Sequence, residues 1–221
     1  MLPLGDHNPR HIVPWFTYLF ILANFVMFVF ELLNGEAFIV EWAFVPTRFL
    51  QNPLGQFPTL LTSMFMHAGW LHILGNMLYL WIFGDNIEDR LGHVRFIAFY
   101  LVCGLAATFA HMLFNLNSGI PSLGASGAIA GVLGAYIVMF PGARVRVLFG
   151  LFLIPLPAII VIGAWILLQL FYGVGSLGST AETGVAYMAH IGGFFTGLIM
   201  AIIYRVSNKQ NNRKNPDFYI N

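Results

Sequence analysis

Charged residues are scarce in this chain. Asp, Glu, Lys and Arg together make up 9% of its 221 residues, whereas 58% of the residues are hydrophobic. Because a soluble domain carries about 25% charged residues, this composition excludes an ordinary soluble globular protein. It indicates a protein whose main solvent is lipid.

Cysteine is almost absent as well. The single Cys103 lies in an apolar run, so it cannot form an internal disulfide, and a free cysteine of this kind usually acts as a small hydrophobic residue. No compartment follows from it. The first apolar run, which follows Arg10, is too long for the core of a signal peptide and lacks a clear A-x-A cleavage site. We interpret this run as a retained membrane helix.

Several motifs of catalytic chemistry are missing. The sequence has no H-E-x-x-H motif, which argues against a zinc protease. Gly84-Asp85 resembles half of an aspartyl-protease motif, but no second aspartate lies in an apolar run. A small transporter would carry paired charges at mid-membrane, and none are found. We expect no cofactor, no metal and no nucleic-acid partner.

Apolar runs occupy most of the chain. A bilayer core of about 30 Å needs about 20 apolar residues in each spanning helix, and six segments are candidates. We predict an all-α polytopic membrane protein, a six-transmembrane-helix bundle forming a single domain over residues 1–221. The helices are expected near 12–33, 70–90, 94–114, 126–140, 147–172 and 185–204, with a basic cytoplasmic tail at 206–221.

The placement of Lys and Arg predicts the orientation of these spans. An even number of spans puts both termini on one side, and nine of the ten basic residues fall on that side. Only Arg48 falls opposite. Because basic loops stay inside, we expect cytoplasmic termini and outward-facing loops at 34–68, 115–124 and 173–184. The nine basic residues are Arg10, Arg90, Arg95, Arg144, Arg146, Arg205, Lys209, Arg213 and Lys214.

The fourth apolar segment is unusually short. It has 15 residues from Ser126 to Phe140 and is stopped by Pro141. At 1.5 Å per residue it spans roughly 22 Å, short of the roughly 30 Å of hydrocarbon. Ser126 is therefore expected roughly 8 Å below the outer surface, where non-helical backbone must line a cavity or be buried in protein. The sequence predicts a small polar cavity open to the outside.

Four polar side chains are expected at the depth of this cavity. His190 lies near the start of the sixth segment, and His72 and Asn76, four residues apart on one helical face, lie near the start of the second. A serine nucleophile needs a base such as neutral histidine, and acyl transfer needs donors aimed at the oxyanion. We predict Ser126 as nucleophile, His190 as base, and His72, Asn76 and the Ser126 N–H as donors.

Structural interpretations compete with these catalytic ones. A serine in a Gly-rich helix start is more often an N-cap, and membrane histidines can simply bond neighbouring helices. Glu182 is the only acid near His190 and lies in a flexible loop, so a Ser–His dyad is the economical interpretation. Glu88 and Arg90 are most simply a solvated helix end.

Glycines are expected to bring the fourth and sixth segments together. Gly193 and Gly197 share a helical face with His190, and small residues of this kind let membrane helices approach closely. Three glycines flank Ser126 on the fourth segment: Gly127, Gly131 and Gly134.

Four stretches of the sequence, taken in their order along the chain, resemble the rhomboid family of intramembrane serine proteases. They are Gly124 to Gly127, "HILGN" from His72 to Asn76 with His67 before it, "AHIGGFFTG" from Ala189 to Gly197, and "GDNIEDRLG" from Gly84 to Gly92. The resemblance implies a six-helix rhomboid-like core and the same roles for Ser126, His190, His72 and Asn76. It also implies cleavage of single-span membrane proteins near their outer end, after a small residue, in a bacterial inner membrane.

One position departs from the pattern of some bacterial rhomboids. These have a tyrosine four residues after the serine, stacked under the histidine, whereas this chain has Ala130. We therefore expect His190 to be held by packing or by another aromatic ring, such as Tyr136 or Tyr187.

Two further expectations concern the alternative function and substrate access. Non-catalytic rhomboid-like proteins that bind and escort membrane clients lack the serine or the histidine, and both are present here. A substrate helix is expected to enter from the lipid beside the fifth segment, near Trp165 and Phe171, with the loop 173–184 covering the site.

Overall fold

Helices dominate the fold in the computed structural model, which describes residues 2–175 and 185–214, with side chains up to residue 208. The elements in chain order are β1 (Leu2–Asp6), α1 (Trp15–Trp42), α2 (Pro46–Gln51), α3 (Pro53–Gln56), α4 (Thr59–Thr62), a 3₁₀ turn (Ser63–Phe65), α5 (Trp70–Tyr79), a π-helical turn (Leu80–Gly84), α6 (Asp85–Leu91), α7 (His93–Phe114), α8 (Ser126–Met139), β2 (Arg144–Phe149), β3 (Phe152–Pro157), α9 (Ala158–Gly175) and α10 (Tyr187–Lys214).

Four helices within the described residues are long and apolar enough to cross a membrane. They are α1, α7, α9 and the Tyr187–Asn208 part of α10. Helix α5, the π-helical turn and α6 follow one another without a break from Trp70 to Leu91, and α8 is a shorter apolar helix. The predicted all-α polytopic membrane fold is confirmed.

Helix α8 forms the centre of the bundle. All its residues from Gly127 to Tyr136 are buried, and it packs mainly against α10 and α7. Because protein surrounds the helix, its end can lie below the membrane surface without exposing backbone groups to lipid. A short helix is therefore tolerated at this position.

The fifth predicted helix, 147–172, is wrong over its first part. Residues 144–157 form an antiparallel hairpin, in which Phe149 pairs with Phe152 and the turn contains Gly150 at φ +61°, and α9 begins only at Ala158. Strand β1 pairs with β2 on the other side, which leaves β3 as an edge strand. Pro155 and Pro157 suit an edge strand but break a helix interior.

Three other boundaries differ from the expected ones. Helix α1 continues past residue 33 to Trp42, with a kink at Gly35, where φ is +71°. Helix α10 continues past residue 204 to Lys214, so the first part of the predicted tail is helical, and 215–221 lie outside the described residues. The outer loop 34–68 has structure of its own, since α2, α3, α4 and the 3₁₀ turn lie within it.

Glu88 caps the start of α1 from another helix. It is fully buried, and its carboxylate accepts hydrogen bonds from the backbone N–H groups of Phe16 (3.0 Å) and Thr17 (2.7 Å) and from the Thr17 hydroxyl (2.7 Å). The first N–H groups of a helix have no hydrogen-bond acceptor within the helix, and the Glu88 carboxylate acts as the acceptor for two of them in α1. The interpretation of Glu88 as part of a solvated helix end is therefore wrong.

Candidate active site

The loop that leads into α8 is held by the outer loop. Ser122 N–H donates to the Phe44 carbonyl (2.7 Å), Phe44 N–H donates back to Ser122 (3.2 Å), and Gly124 N–H donates to the Ser63 carbonyl (2.8 Å). These bonds fix the backbone just before Ser126. Ala125 occupies the N-cap position of α8, which has no side-chain cap. The Ser126 hydroxyl is thus not used as a helix cap.

Ser126 and His190 are hydrogen-bonded to each other. The distance from His190 Nε2 to Ser126 Oγ is 2.8 Å. Two backbone contacts between α8 and α10 bring them together, because Gly193 lies against the Gly127 carbonyl and Gly197 against the Gly131 carbonyl. The expected close approach of these helices through glycine is confirmed.

Helix α9 holds the other side of His190. The Oε1 atom of Gln169 lies 2.7 Å from His190 Nδ1, and the Trp165 ring lies with its centroid 5.7 Å from the imidazole centroid, tilted by 37°. An amide oxygen only accepts hydrogen bonds, so this contact favours the tautomer with the proton on Nδ1, in which the lone pair of Nε2 faces Ser126. Ser126, His190 and Gln169 form one continuous hydrogen-bonded chain.

The aromatic residues expected to hold His190 lie elsewhere. The Tyr136 hydroxyl donates to Asp6 at 2.6 Å, and the Tyr187 ring stacks on Tyr172, with centroids 5.7 Å apart. Both expectations are wrong, because the aromatic ring beside His190 is Trp165 of the neighbouring helix α9. Glu182, considered above as a third member of a triad, lies outside the described residues.

His72 borders the same small space as the Ser126 hydroxyl. A Cβ atom on Gly124 would lie 2.9 Å from His72 Nε2 and 3.5 Å from Ser126 Oγ, and Gly124 has φ +135°. Glycine is therefore required both by the conformation and by the space. The Nδ1 atom of His72 accepts from Ala68 N–H at 3.3 Å, which places the ring proton on Nε2. His72 can thus act as a donor into this space.

Asn76 lies in a polar cluster behind His72. Its side chain is buried, and its Nδ2 lies 3.0 Å from Nε2 of His67. The His67 backbone N–H donates to both carboxylate oxygens of Glu31 at 3.1 Å, and Glu31 is only 2% exposed within α1. Asn76 therefore has one N–H occupied by His67 and a second available.

Gln169 and Glu31 were not predicted as parts of the site, and Trp165 was expected near the entry of the substrate but not against His190. The signals were nevertheless present. Gln169 is a lone amide in the apolar stretch "WILLQLF", and Glu31 is a lone acid in "FVFELL". Polar residues inside membrane helices are costly and usually functional. Trp165 lies four residues before Gln169, on the same helical face.

No cluster of three or more His, Cys, Asp or Glu side chains that could hold a metal ion occurs within the described residues.

A small cavity of about 30 Å³ adjoins Ser126, and small residues line much of it, among them Gly104, Ala107, Ala128 and Ala189.

Comparison with known proteins assigns this architecture to a family. The Rhomboid domain model matches residues 54–207, well over half of the chain. The chain belongs to the rhomboid family. The matched region of this rhomboid begins in the outer loop, ends within α10 and contains Ser126, His190, His72 and Asn76.

Individual relatives come from bacteria and from mitochondria. This rhomboid is 32% identical over 192 residues to Rhomboid protease GluP of Bacillus subtilis, covering 86% of this chain and 35% of GluP. It is 31% identical over 162 residues to Rhomboid protein 1, mitochondrial, of Saccharomyces cerevisiae, covering 71% of this chain and 44% of the yeast protein. It is 37% identical over 105 residues to the bovine Presenilin-associated rhomboid-like protein, mitochondrial, covering 46% of this chain and 28% of the bovine protein. The chain spans less than half the length of these relatives.

Proposed function

We propose that this rhomboid is an intramembrane serine endopeptidase that cleaves transmembrane segments of membrane proteins. The observation that carries the proposal is the 2.8 Å contact between His190 Nε2 and Ser126 Oγ. It joins a hydroxyl that caps no helix to a histidine whose other nitrogen is occupied by Gln169. A nucleophile within hydrogen-bond reach of an oriented base is the signature of an activated serine.

The proposed reaction starts at the Ser126 hydroxyl. Its oxygen attacks the carbonyl carbon of the scissile peptide bond, and His190 Nε2 takes its proton. His190 then gives this proton to the leaving amine as the C–N bond breaks, which leaves an acyl ester on Ser126. Water, activated by the same histidine, hydrolyses the ester and restores the free serine.

Three donors are proposed to stabilise the oxyanion formed during this attack. The Nε2–H group of His72 borders the space above Ser126, and the Ser126 N–H lies at the start of α8, where the helix dipole also favours negative charge. The second N–H of Asn76 is the third donor. One donor of this kind is worth about 10²–10³ in rate.

The proposed substrates are single-span membrane proteins in the surrounding bilayer. The cavity of about 30 Å³ beside Ser126 is consistent with a small side chain before the cut. We propose that the substrate enters beside α9, where Phe171 is 73% exposed on the lipid side. Part of the loop expected to cover the site, 176–184, lies outside the described residues.

The proposed location is a cell membrane, namely a bacterial inner membrane, with both termini in the cytoplasm. Tyr204 of α10 donates to the Arg90 carbonyl at 2.8 Å, and Arg205 donates to the Val138 carbonyl at 3.1 Å. The C-terminal ends of α6 and α8 therefore meet α10 at one end of the bundle. Basic residues gather at this end, which supports a cytoplasmic position.

Cleavage of a membrane-spanning substrate by the purified protein tests the proposal. We expect wild type to generate two fragments and Ser126→Ala to generate none. Ser207→Ala makes the same chemical change at an exposed position near the cytoplasmic end of α10 and should cleave normally. Binding of the substrate by wild type without any cleavage would contradict the proposal and favour the escort function.

A further inference from the structure

We infer that Gln169 is the positioning residue of the catalytic base: its amide oxygen fixes the tautomer and the orientation of His190. This inference rests on the proposed function, because it assigns the role of base to His190. It extends the predicted Ser–His dyad to a chain of three residues contributed by three different helices, α8, α10 and α9.

The first argument comes from the number of nitrogen atoms on the imidazole. A neutral imidazole has one N–H and one lone pair, and only the lone pair can take the proton of Ser126. Gln169 Oε1 lies 2.7 Å from Nδ1 and has no proton to donate. This contact stabilises the tautomer with the proton on Nδ1, which leaves Nε2 as the acceptor opposite Ser126 Oγ.

The second argument concerns the proton-transfer step. When His190 has taken the serine proton, the imidazolium keeps its Nδ1–H bond to Gln169 Oε1, and the amide dipole favours the new positive charge. A carboxylate at this position would instead add a permanent negative charge to an apolar membrane helix. An amide supplies the orientation without that cost.

The third argument is that α9 restrains the ring from two directions. Gln169 holds the Nδ1 edge, and Trp165, on the same helical face, covers the ring at 5.7 Å between centroids. Helix α8 contributes no aromatic ring at residue 130, where it has the buried Ala130. The restraint on the base therefore comes mainly from the helix that we propose to border the path of the substrate.

A competing interpretation makes Gln169 a structural link between α9 and α10. It predicts that any loss of the amide lowers stability and leaves the imidazole tautomer unchanged. The two interpretations differ in the state of His190, so they can be separated by a measurement on that ring.

Nitrogen NMR of the histidine side chains provides this measurement and does not depend on proteolytic activity. With ¹⁵N-labelled histidine, the His190 signals are assigned by their loss in His190→Ala. We expect wild type to show a protonated Nδ1 and an unprotonated Nε2. Gln169→Leu should shift the His190 signals towards the Nε2–H tautomer. A wild-type ring protonated on Nε2, or unchanged signals in Gln169→Leu, would overturn the inference.

The rate of fluorophosphonate labelling as a function of pH provides a second readout. We expect Gln169→Leu to label about 10–10²-fold more slowly, a loss at or below the lower end of the rate contribution of a general base. Gln169→Glu retains an acceptor, so its labelling should stay within a few fold of wild type. The acidic side of the pH–rate profile of Gln169→Glu should move to higher pH, because a carboxylate beside an imidazole favours the protonated ring. Equal losses in both variants, without displacement of the pH profile, would overturn the inference.

Leu168→Ala is the matched control for general loosening of α9. Leu168 precedes Gln169 and is 52% exposed on the lipid side, so this variant should label like wild type. If wild-type protein neither labels nor cleaves, the proposed function fails, while the tautomer measurement still decides whether Gln169 positions His190.

Discussion

Gly193 of α10 lies directly against the backbone carbonyl of Gly127 in α8, with no room for a Cβ atom between them. One turn further, Gly197 lies against the Gly131 carbonyl in the same way. Because backbone meets backbone at both points, neither side can rotate a side chain away. This contact lies one turn below His190 and sets its distance from Ser126.

Adding a methyl group at Gly193 should therefore separate the two helices. From the sequence, Gly193→Ala would be expected to have a milder effect than Gly193→Val, but the structure shows that even an alanine Cβ collides with the Gly127 carbonyl. Overpacking costs about 1–3 kcal/mol, and a shift of about 1 Å in a reacting group can cost 10²-fold in rate. We expect both variants to insert into membranes but to cleave at least about 10-fold more slowly.

Gly163→Ala is the control for this packing prediction. Gly163 lies in α9, and a Cβ atom there would meet nothing within 4 Å. Alanine should leave cleavage unchanged and favour the helix by up to about 1 kcal/mol. Thermal unfolding and initial cleavage rates measure both effects. Wild-type cleavage by Gly193→Val would contradict the placement of His190 against Ser126.

The bond between Asn76 and His67 leads to a kinetic prediction. Asn76→Ala should lower kcat by about 10–10³, at or below the range for one lost oxyanion donor, and change KM little. His67→Ala should lower kcat in the same direction but less, because the Asn76 amide keeps its donors and loses only its 3.0 Å partner. The double variant should be non-additive, because His67 acts on the rate only through its bond to the Asn76 side chain. Losses confined to KM would make these residues substrate contacts.

Glu31 should act on stability through the backbone of His67. Its carboxylate accepts the His67 N–H in a buried position. Glu31→Gln keeps an acceptor of the same size, whereas Glu31→Leu leaves the N–H unsatisfied at a cost of about 1–3 kcal/mol. We expect the order of unfolding temperature to be wild type, then Gln, then Leu. Equal stability of the Gln and Leu variants would show that this bond does not stabilise the fold.

The N-terminal strand leads to a prediction about pH. The Asp6 carboxylate accepts from the Tyr136 hydroxyl at 2.6 Å and from Asn86 at 3.0 Å. Burial raises the pKa of Asp6 from its ordinary value of 3.8, and the bond from Tyr136 opposes that rise. The folded protein therefore binds this proton more tightly than the unfolded chain, and stability falls as pH rises through the Asp6 pKa.

Tyr136→Phe should enlarge this loss, because it removes the opposing bond. The difference from wild type should be small below about pH 4, where Asp6 is protonated, and reach about 1.5–3 kcal/mol at neutral pH, the contribution of one hydrogen bond to a charged group; Asn86 remains as a partner of Asp6. Tyr18→Phe, which removes an exposed bond from Arg10, should have little effect at either pH. A difference that is independent of pH would rule out Asp6 as its source.

The sequence predicted the parts of the fold that depend on local composition. The six apolar segments, the short helix that starts at Ser126 and the Gly-mediated contact of α8 with α10 all follow from hydrophobic runs and from the spacing of small residues. The juxtaposition of Ser126 with His190 could be predicted from their similar depth, since both lie near the start of helices that run in the same direction, and from the glycines that let these helices approach.

Most of the parts that were missed depend on contacts between distant segments, and the hairpin at 144–157 is the local exception. Hydropathy cannot separate an apolar strand from a membrane helix, so residues 147–157 of the hairpin were predicted as part of the fifth helix, although Pro155 and Pro157 were a local signal against that. The ring that covers His190 comes from α9, and no local pattern near Ala130 indicates Trp165. The capping of α1 by Glu88 joins residues 71 and 72 positions apart and needs the folded structure.

Identification of the residue that a fluorophosphonate modifies tests the proposed serine protease most directly. The labelled protein is digested, and the adduct is located by mass spectrometry in wild type, Ser126→Ala and His190→Ala. We expect a single adduct on Ser126 in wild type, none in Ser126→Ala and a strongly slowed reaction in His190→Ala. An adduct on another residue, or labelling of His190→Ala at the wild-type rate, would contradict activation of Ser126 by His190.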